Sequence, residues 1–435
     1  MTMFFYYLDL AWRSIKKTPL LSLLMVFAIS VGISTTITTL NVYQLMSVNP
    51  AGERSDKLLA VQLWSQGKDA WKEFNAQVTY QDAFNLRKSE LPVRQTPMFV
   101  TGLAVQTEDA DFSPLLETVR VTDSDFFGMF SVPFLYGGAW DKSVDTQAAY
   151  QVVINEDLNK QLFAGENSVG KTLFLDSKPY QVVGVIKTWS PSPQYYDLTT
   201  GAFKDSAQLF IPFSLTPMEE FQSWGNNQSW KRESMDTYNG RLNSEMHWIQ
   251  FWVEVTDDKQ RDEYAQWLTA YVEQQQLLGR FESPEAGAQL SNVAQWLDLN
   301  EVVPEDNKIL VGLSGLFLLV CLVNMLGLLL AKFLKRAPEV GVRRAIGASR
   351  NQIFAQHMVE VGLIGFCGGV LGLIWAWGSL SMLSARFNLE ESLTHLDPSM
   401  WIIAPAIAIC AALVAGIYPA WRICSTNPSV HLKSQ

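Results

Sequence analysis

Four long apolar runs mark this chain, and a long polar stretch separates the first run from the other three. The first covers residues 20–48 and is most apolar over 20–45. That exceeds the ~20 residues a helix needs to cross a bilayer. Its later half holds Ser34, Thr35, Thr36, Thr38, Thr39 and Asn41. This half is expected to face other helices or to continue as a stalk beyond the membrane. Residues 309–334, 352–383 and 400–420 predict three more spans, with Pro405 marking a bend in the last. Between residues 49 and 308 the pattern changes. Strand-type runs occur at Leu58–Trp64, Gln151–Ile154, Thr172–Leu175, Tyr180–Ile186, Gln208–Ile211 and Trp248–Val255, and helical spacing at Thr79–Ser89 and Asp258–Leu278. The fold class is therefore a membrane protein of four transmembrane α-helices, with a large α+β domain inserted between spans one and two.

The ends and loops set the orientation. Residues 1–19 are aromatic and then basic, which predicts a helix lying in the membrane interface with Trp12 at headgroup depth. A cleaved signal peptide fits poorly, because the apolar core that follows is too long and lacks a prompt small-residue cleavage site. Three basic residues precede the first span (Arg13, Lys16, Lys17), and six fall in 332–350. The tail, 421–435, adds Arg422 and Lys433, whereas the loop 384–399 has only Arg386. Positive-inside logic then puts both termini and the 335–351 loop in the cytoplasm, and 49–308 outside it. Trp375, Trp377 and Trp401 are placed to form the outer aromatic belt.

Charge sharpens this division. The chain has 435 residues, 17% of them charged, and a net charge of −10. Residues 49–308 hold 21 Lys and Arg against 37 Asp and Glu, while the remainder holds 12 against 6. An acidic soluble domain beside a basic membrane part argues against nucleic acid as a partner and for membrane lipid as one. Cys321, Cys367, Cys410 and Cys424 all lie outside 49–308, so that domain has no disulfide framework. His247, His357, His395 and His431 are too scattered to suggest a metal site. Ten of the fifteen tryptophans fall in 49–308. Ordinary core explains most of them, and a partner or substrate surface some. Residues 187–207 and 223–247 look loop-rich and are the expected specificity-bearing inserts.

Three features carry candidate chemistry. Gly165-Glu-Asn-Ser-Val-Gly170-Lys171-Thr172 matches the phosphate-binding P-loop letter for letter. That motif needs a strand before it and a helix after it. Here a helix end precedes, and a β-hairpin turning near Ser177–Pro179 follows, so nucleotide binding is not expected. Glu360 lies near the cytoplasmic end of the third span, where an intramembrane carboxylate is a functional candidate or a group that snorkels or pairs with an Arg. Gly365, Gly368, Gly369 and Gly372 form overlapping small-xxx-small pairs, which permit close helix packing, and Asn324 is expected to bond across a helix interface. No Ser/His/Asp, paired-carboxylate or metal constellation suggests an enzyme.

Between spans two and three lies Arg336-Ala-Pro-Glu-Val-Gly-Val-Arg-Arg-Ala-Ile-Gly-Ala-Ser-Arg350. Pro338 suits a first helical turn, Glu339 its N-terminal end, Arg343 and Arg344 its C-terminal end, and Gly347 its stop. A helix of about two turns is not stable alone. It is either a topology-setting basic loop or a segment docked on a partner, and charge alone does not decide. The run Pro338 to Ser349 closely resembles the cytoplasmic motif of the MacB/FtsX family of ABC transporter permeases. A Glu at position 360 ahead of Gly-rich apolar sequence also resembles the family pattern. So do the hairpin running to Val182-Val-Gly-Val185, the tail Tyr418-Pro-Ala-Trp-Arg422 and Asn427-Pro-Ser-Val-His-Leu-Lys433, and, more weakly, Ala11-Trp-Arg-Ser with Pro19.

The resemblance implies a four-span permease subunit of the bacterial inner membrane, without an ATPase domain of its own. It implies no cofactor on this chain, with ATP and Mg held by a partner ABC ATPase. Pro338, Glu339, Val340, Gly341, Arg343, Arg344, Ile346 and Gly347 would form the coupling helix. Val340 and Ile346 would give the apolar side to that ATPase, and Arg343 or Arg344 would pair with acids at the rim. A second permease, identical or different, would complete a dimer, and tandem periplasmic subdomains would fill 49–308. A periplasmic membrane-fusion adaptor and an outer-membrane channel are further partners under an efflux reading. ATP hydrolysis would then drive conformational change of the periplasmic domain, and with it export of a peptide, drug or other periplasmic substrate. Lipoprotein release and FtsX-like regulation of an external hydrolase or antimicrobial-peptide sensing remain alternatives. Four spans rather than ten disfavours the sensory type.

Overall fold

The computed structural model describes residues 2–65, 74–107, 113–387 and 396–425. The chain divides there into two units, Val48–Val302 and the combination of Met1–Ser47 with Val303–Gln435.

In the inserted unit the alternating runs become strands β1 (Leu58–Trp64), β2 (Val78–Thr79), β3 (Arg94–Gln106), β4 (Leu115–Thr122), β5 (Phe134–Gly137) and β6 (Gln151–Asn155), then β7 (Thr172–Leu175), β8 (Lys178–Ile186), β9 (Leu209–Pro212), β10 (Gln228–Ser229), β11 (Met246–Glu254) and β12 (Gly287–Asn292). The main path runs β12-β1-β11-β3-β4-β9-β6-β8-β5. Strand β7 pairs with both β3 and β8, so β3, β4, β9, β6, β8 and β7 close into a ring. Closure leaves β7 no open edge. All twelve strands belong to one hydrogen-bonded network.

Sequence patterning missed β3 and β4, and their side chains show why. Strand β3 opens on Arg94-Gln-Thr-Pro, and Gly102 interrupts it. The Trp224 indole lies where a Cβ at position 102 would stand, 1.9 Å from it, so only glycine fits there. In β4, Arg120 faces inward and pairs with buried Asp197 at 2.6 Å. Asp197 belongs to the 187–207 stretch, read above as a variable loop. The stretch is loop, with no helix or strand between β8 and β9, but its middle is not surface: Tyr195, Tyr196 and Asp197 are buried, and the Tyr196 ring packs under the Arg120 guanidinium. Its centre packs as core, while Lys187, Thr188, Ser190, Lys204 and Asp205 stay exposed. Trp248, Trp252 and Trp296 are likewise ordinary core.

Buried His247 gives this unit an acid sensitivity. Its Nε2 lies 2.8 Å from the Ser65 hydroxyl, and burial pushes its pKa down from 6.5 to about 4 against the opposing pull of Asp82. The unfolded chain therefore binds a proton below pH 6.5 that the folded chain refuses until about pH 4. Stability falls as pH drops through that window, by about 3 kcal/mol from this group. Chemical unfolding of the full chain in detergent between pH 7 and 4 should show a shallower loss for His247→Gln than for wild type. Equal slopes would show that His247 is not the source.

In the second unit the helix Thr2–Lys17 ends at Thr18, and the first span, Pro19–Met46, starts on a proline in its first turn. The other spans are Glu305–Lys335, Arg350–Met382 within a helix reaching Phe387, and Met400–Ser425. The second begins before residue 309 because Glu305 and Asp306 supply an acidic first turn after Pro304. The third span is clasped on two sides. Gly365 and Gly369 meet Ala412, Ala408 and Pro405 of the fourth span, while Gly368 and Gly372 meet Ile29, Ser30 and Ile33 of the first. Each pair is four residues apart and so shares one face, and an added Cβ at any of the four would fall within 3.0 Å of a neighbour. Asn324 lies exposed, and among the described residues it makes no hydrogen bond across a helix interface.

Candidate functional site

The second span stops at Lys335, and Arg336 serves both as its C-cap and as the N-cap of the short helix Ala337–Ala345. Ala337, Val340 and Gly341 fall at helical spacing on one face and are buried in the core of the membrane unit. Val342 is 47% exposed and Ile346 82% exposed on the opposite face. The expectation for Val340 is thus corrected: it anchors the helix inward, and Val342 joins Ile346 on the free side. Gly347 takes φ +111°, a conformation that favours glycine, and so ends the helix. The next helix starts at once on a reciprocal cap. The Gln352 amide N–H donates to Ser349 Oγ at 3.3 Å, and the Ser349 N–H to Gln352 Oε1 at 3.0 Å.

The two arginines of the short helix act within the chain. Arg343 donates to Glu339 Oε1 at 2.7 Å and to Gln356 Oε1 at 3.1 Å. The Arg343–Glu339 pair is half-exposed and stabilises by only ~0–1 kcal/mol. Arg344 reaches the backbone carbonyl of Cys424 at the end of the fourth span, at 3.2 Å. An open cleft of about 500 Å³ runs beside Ile346, lined by Tyr6, Tyr7 and Leu10 of the N-terminal helix and by Arg343 and Ile353.

Beneath the short helix, Glu360 is buried, not snorkelling. Its nearest cation is Lys332, at 2.6 Å and equally buried, and Arg336 lies at 3.8 Å. Ser14 Oγ donates to Glu360 Oε1, and Lys332 also donates to Ser22 Oγ at 2.9 Å. His357 Nδ1 is 3.7 Å from the other carboxylate oxygen. Sequence reading missed Lys332, Ser14 and His357 as members of this cluster. The available signal was a lysine one turn inside the end of an apolar run.

The P-loop look-alike sits in the order helix, loop, strand. It follows the helix Glu156–Phe163 and runs into β7. Its amides are already used: Gly165 N–H donates to Asn159 O, Gly170 N–H to Val182 O, and Lys171 N–H to Ser168 O. The Lys171 ammonium lies over the Phe163 ring. No free cradle faces a phosphate, so Lys171→Ala should leave ATP hydrolysis by a purified complex unchanged within error. Loss of that activity with folding intact would contradict this reading. Among the described residues no group of three His, Cys, Asp or Glu could hold a metal ion.

Comparison with known proteins places this geometry. The family model for a MacB-like periplasmic core domain matches residues 22–271, and that for an FtsX-like permease C-terminal region matches residues 311–428. The chain belongs to the MacB/FtsX-like family of ABC transporter permeases. A similar curated relative of this permease is the macrolide export ATP-binding/permease protein MacB of Vibrio parahaemolyticus. The two are 23% identical over 358 residues, covering 81% of this chain and 47% of that one. The uncharacterised ABC transporter permease YknZ of Bacillus subtilis is 23% identical over 235 residues, covering 54% of this chain and 49% of that one. The permease spans about half the length of these relatives. Among solved structures, the periplasmic region of MacB from Actinobacillus actinomycetemcomitans aligns at a TM-score of 0.35 and 16% identity, covering 55% of this chain and 90% of that one.

Proposed function

We propose that this permease couples ATP hydrolysis by a separate cytoplasmic ABC ATPase to motion of its periplasmic-type domain. The observation that carries the reading is the two-sided short helix. Ala337, Val340 and Gly341 fix one face in the membrane unit, while Val342 and Ile346 stand bare on the other. Burying each of those side chains on a partner would contribute about 1.5–3 kcal/mol. The relatives named MacB are ATP-binding/permease proteins, and the regions matched in this chain are a MacB-like periplasmic core domain and an FtsX-like permease C-terminal region. The chain would sit in the inner membrane with both termini cytoplasmic, paired with a second permease. ATP and Mg would be bound by the partner, and the permease itself would be non-catalytic. Export of a peptide, drug or other periplasmic substrate, with an adaptor and outer-membrane channel, is the corresponding cellular role.

A photo-crosslinking amino acid at position 346 tests the docking. In cells of the native host it should capture an ABC ATPase, and the same probe at lipid-facing Leu313 should not. Capture of no ATPase from position 346 would remove the basis of the proposal.

A further inference from the structure

Five parts of the membrane unit meet around the Glu360 carboxylate. Ser14 comes from the N-terminal helix, Lys332 from the second span and Glu360 from the third. Ser22 of the first span joins through Lys332. Arg336 completes the group from the junction between the second span and the short helix: its side chain bonds to Ser14 Oγ and, at 2.8 Å, to the Ser14 carbonyl oxygen. The backbone of Arg336 is where the short helix turns, and its guanidinium is what ties that turn to the N-terminal helix. A movement of the short helix that displaces Arg336 therefore pulls directly on Ser14 and, through it, on Glu360.

The cluster also has a second arrangement within reach. Glu360 Oε2 and His357 Nδ1 are both buried without a hydrogen bond, and they lie 3.7 Å apart. A displacement of under an ångström would let them bond. Packed interfaces switch between discrete arrangements, and buried charged groups fix which partners each arrangement satisfies.

We infer that the Lys332–Glu360 pair, with Arg336 and Ser14, is the joint that passes movement of the short helix to the N-terminal helix and first span. The inference rests on the docking reading above. These residues act as positioning groups, since none of them lies on the exposed Val342–Ile346 face. The test uses the full permease–ATPase complex purified from native membranes. Two paired neutral variants, K332M/E360L and K332M/E360Q, remove both charges and keep side-chain volume. Both should retain ATPase association and basal hydrolysis within twofold of wild type. The ATP-dependent change in hydrogen exchange of amides 39–46 at the far end of the first span should fall at least tenfold. A wild-type exchange response in either variant would overturn the inference. Failure of both variants to assemble would overturn it as well, because the pair would then build the unit and not transmit through it. Absence of an ATPase from the wild-type preparation would instead sink the docking reading.

Discussion

Glu360→Ala should lower the unfolding free energy of the permease in detergent by about 3–5 kcal/mol, among the largest losses any single substitution in the membrane unit would produce. The reason is the partner left behind. Lys332 is fully buried, with Ser22 its remaining hydrogen-bond acceptor once Glu360 is gone. A buried ammonium without its counter-charge costs several kcal/mol even after local relaxation. Arg336 suffers less, because it is partly exposed and keeps the Ser14 carbonyl. Lys332→Met alone leaves the carboxylate with Ser14 and the more distant Arg336 and should cost a comparable amount. The double variant K332M/E360L should recover most of the loss, since replacing a buried ion pair by apolar groups of similar volume is often neutral. Strict additivity of the two single losses would show that the pair does not interact.

Much of this arrangement was legible in the sequence, and the failures have physical causes. The four spans follow from apolar length, and six strands follow from runs such as Leu58–Trp64, whose residues are nearly all buried. The pattern fails at β3 and β4 because polar residues there point inward and find partners, as Arg120 does with Asp197. Periodicity assigns such positions to solvent. In the short helix, Ala337, Val340 and Gly341 stand at the spacing of an inner face, but Val342 and Ile346 are four apart and form a second apolar stripe. Sequence alone does not say which stripe faces the core. The reciprocal cap at Ser349 and Gln352 is itself a readable helix start. Lys332 stands out as a lysine inside an apolar run but not as the partner of Glu360, since it lies on a different helix and only tertiary packing brings the two together.

The second large effect concerns the exposed stripe. Val342 and Ile346 lie on the outer face of a helix whose inner face is fixed, so aspartate at both positions should leave the permease folded and inserted. In the unbound permease the new carboxylates face water and cost little. On a docked apolar surface each would lose its hydration, and a charge so buried costs several kcal/mol unless paired. Every 1.4 kcal/mol is tenfold in affinity, so the ATPase should bind at least 100-fold more weakly. Val340→Asp would be uninformative here, because that side chain is core and the variant would misfold.

Co-purification of the ABC ATPase with the V342D/I346D permease, at wild-type expression and membrane insertion, tests the central claim most directly. The coupling account predicts that the ATPase is lost from the complex and that transport-linked hydrolysis disappears with it. Retention of the ATPase at wild-type stoichiometry and activity would mean that the segment only sets topology, and the account would be wrong.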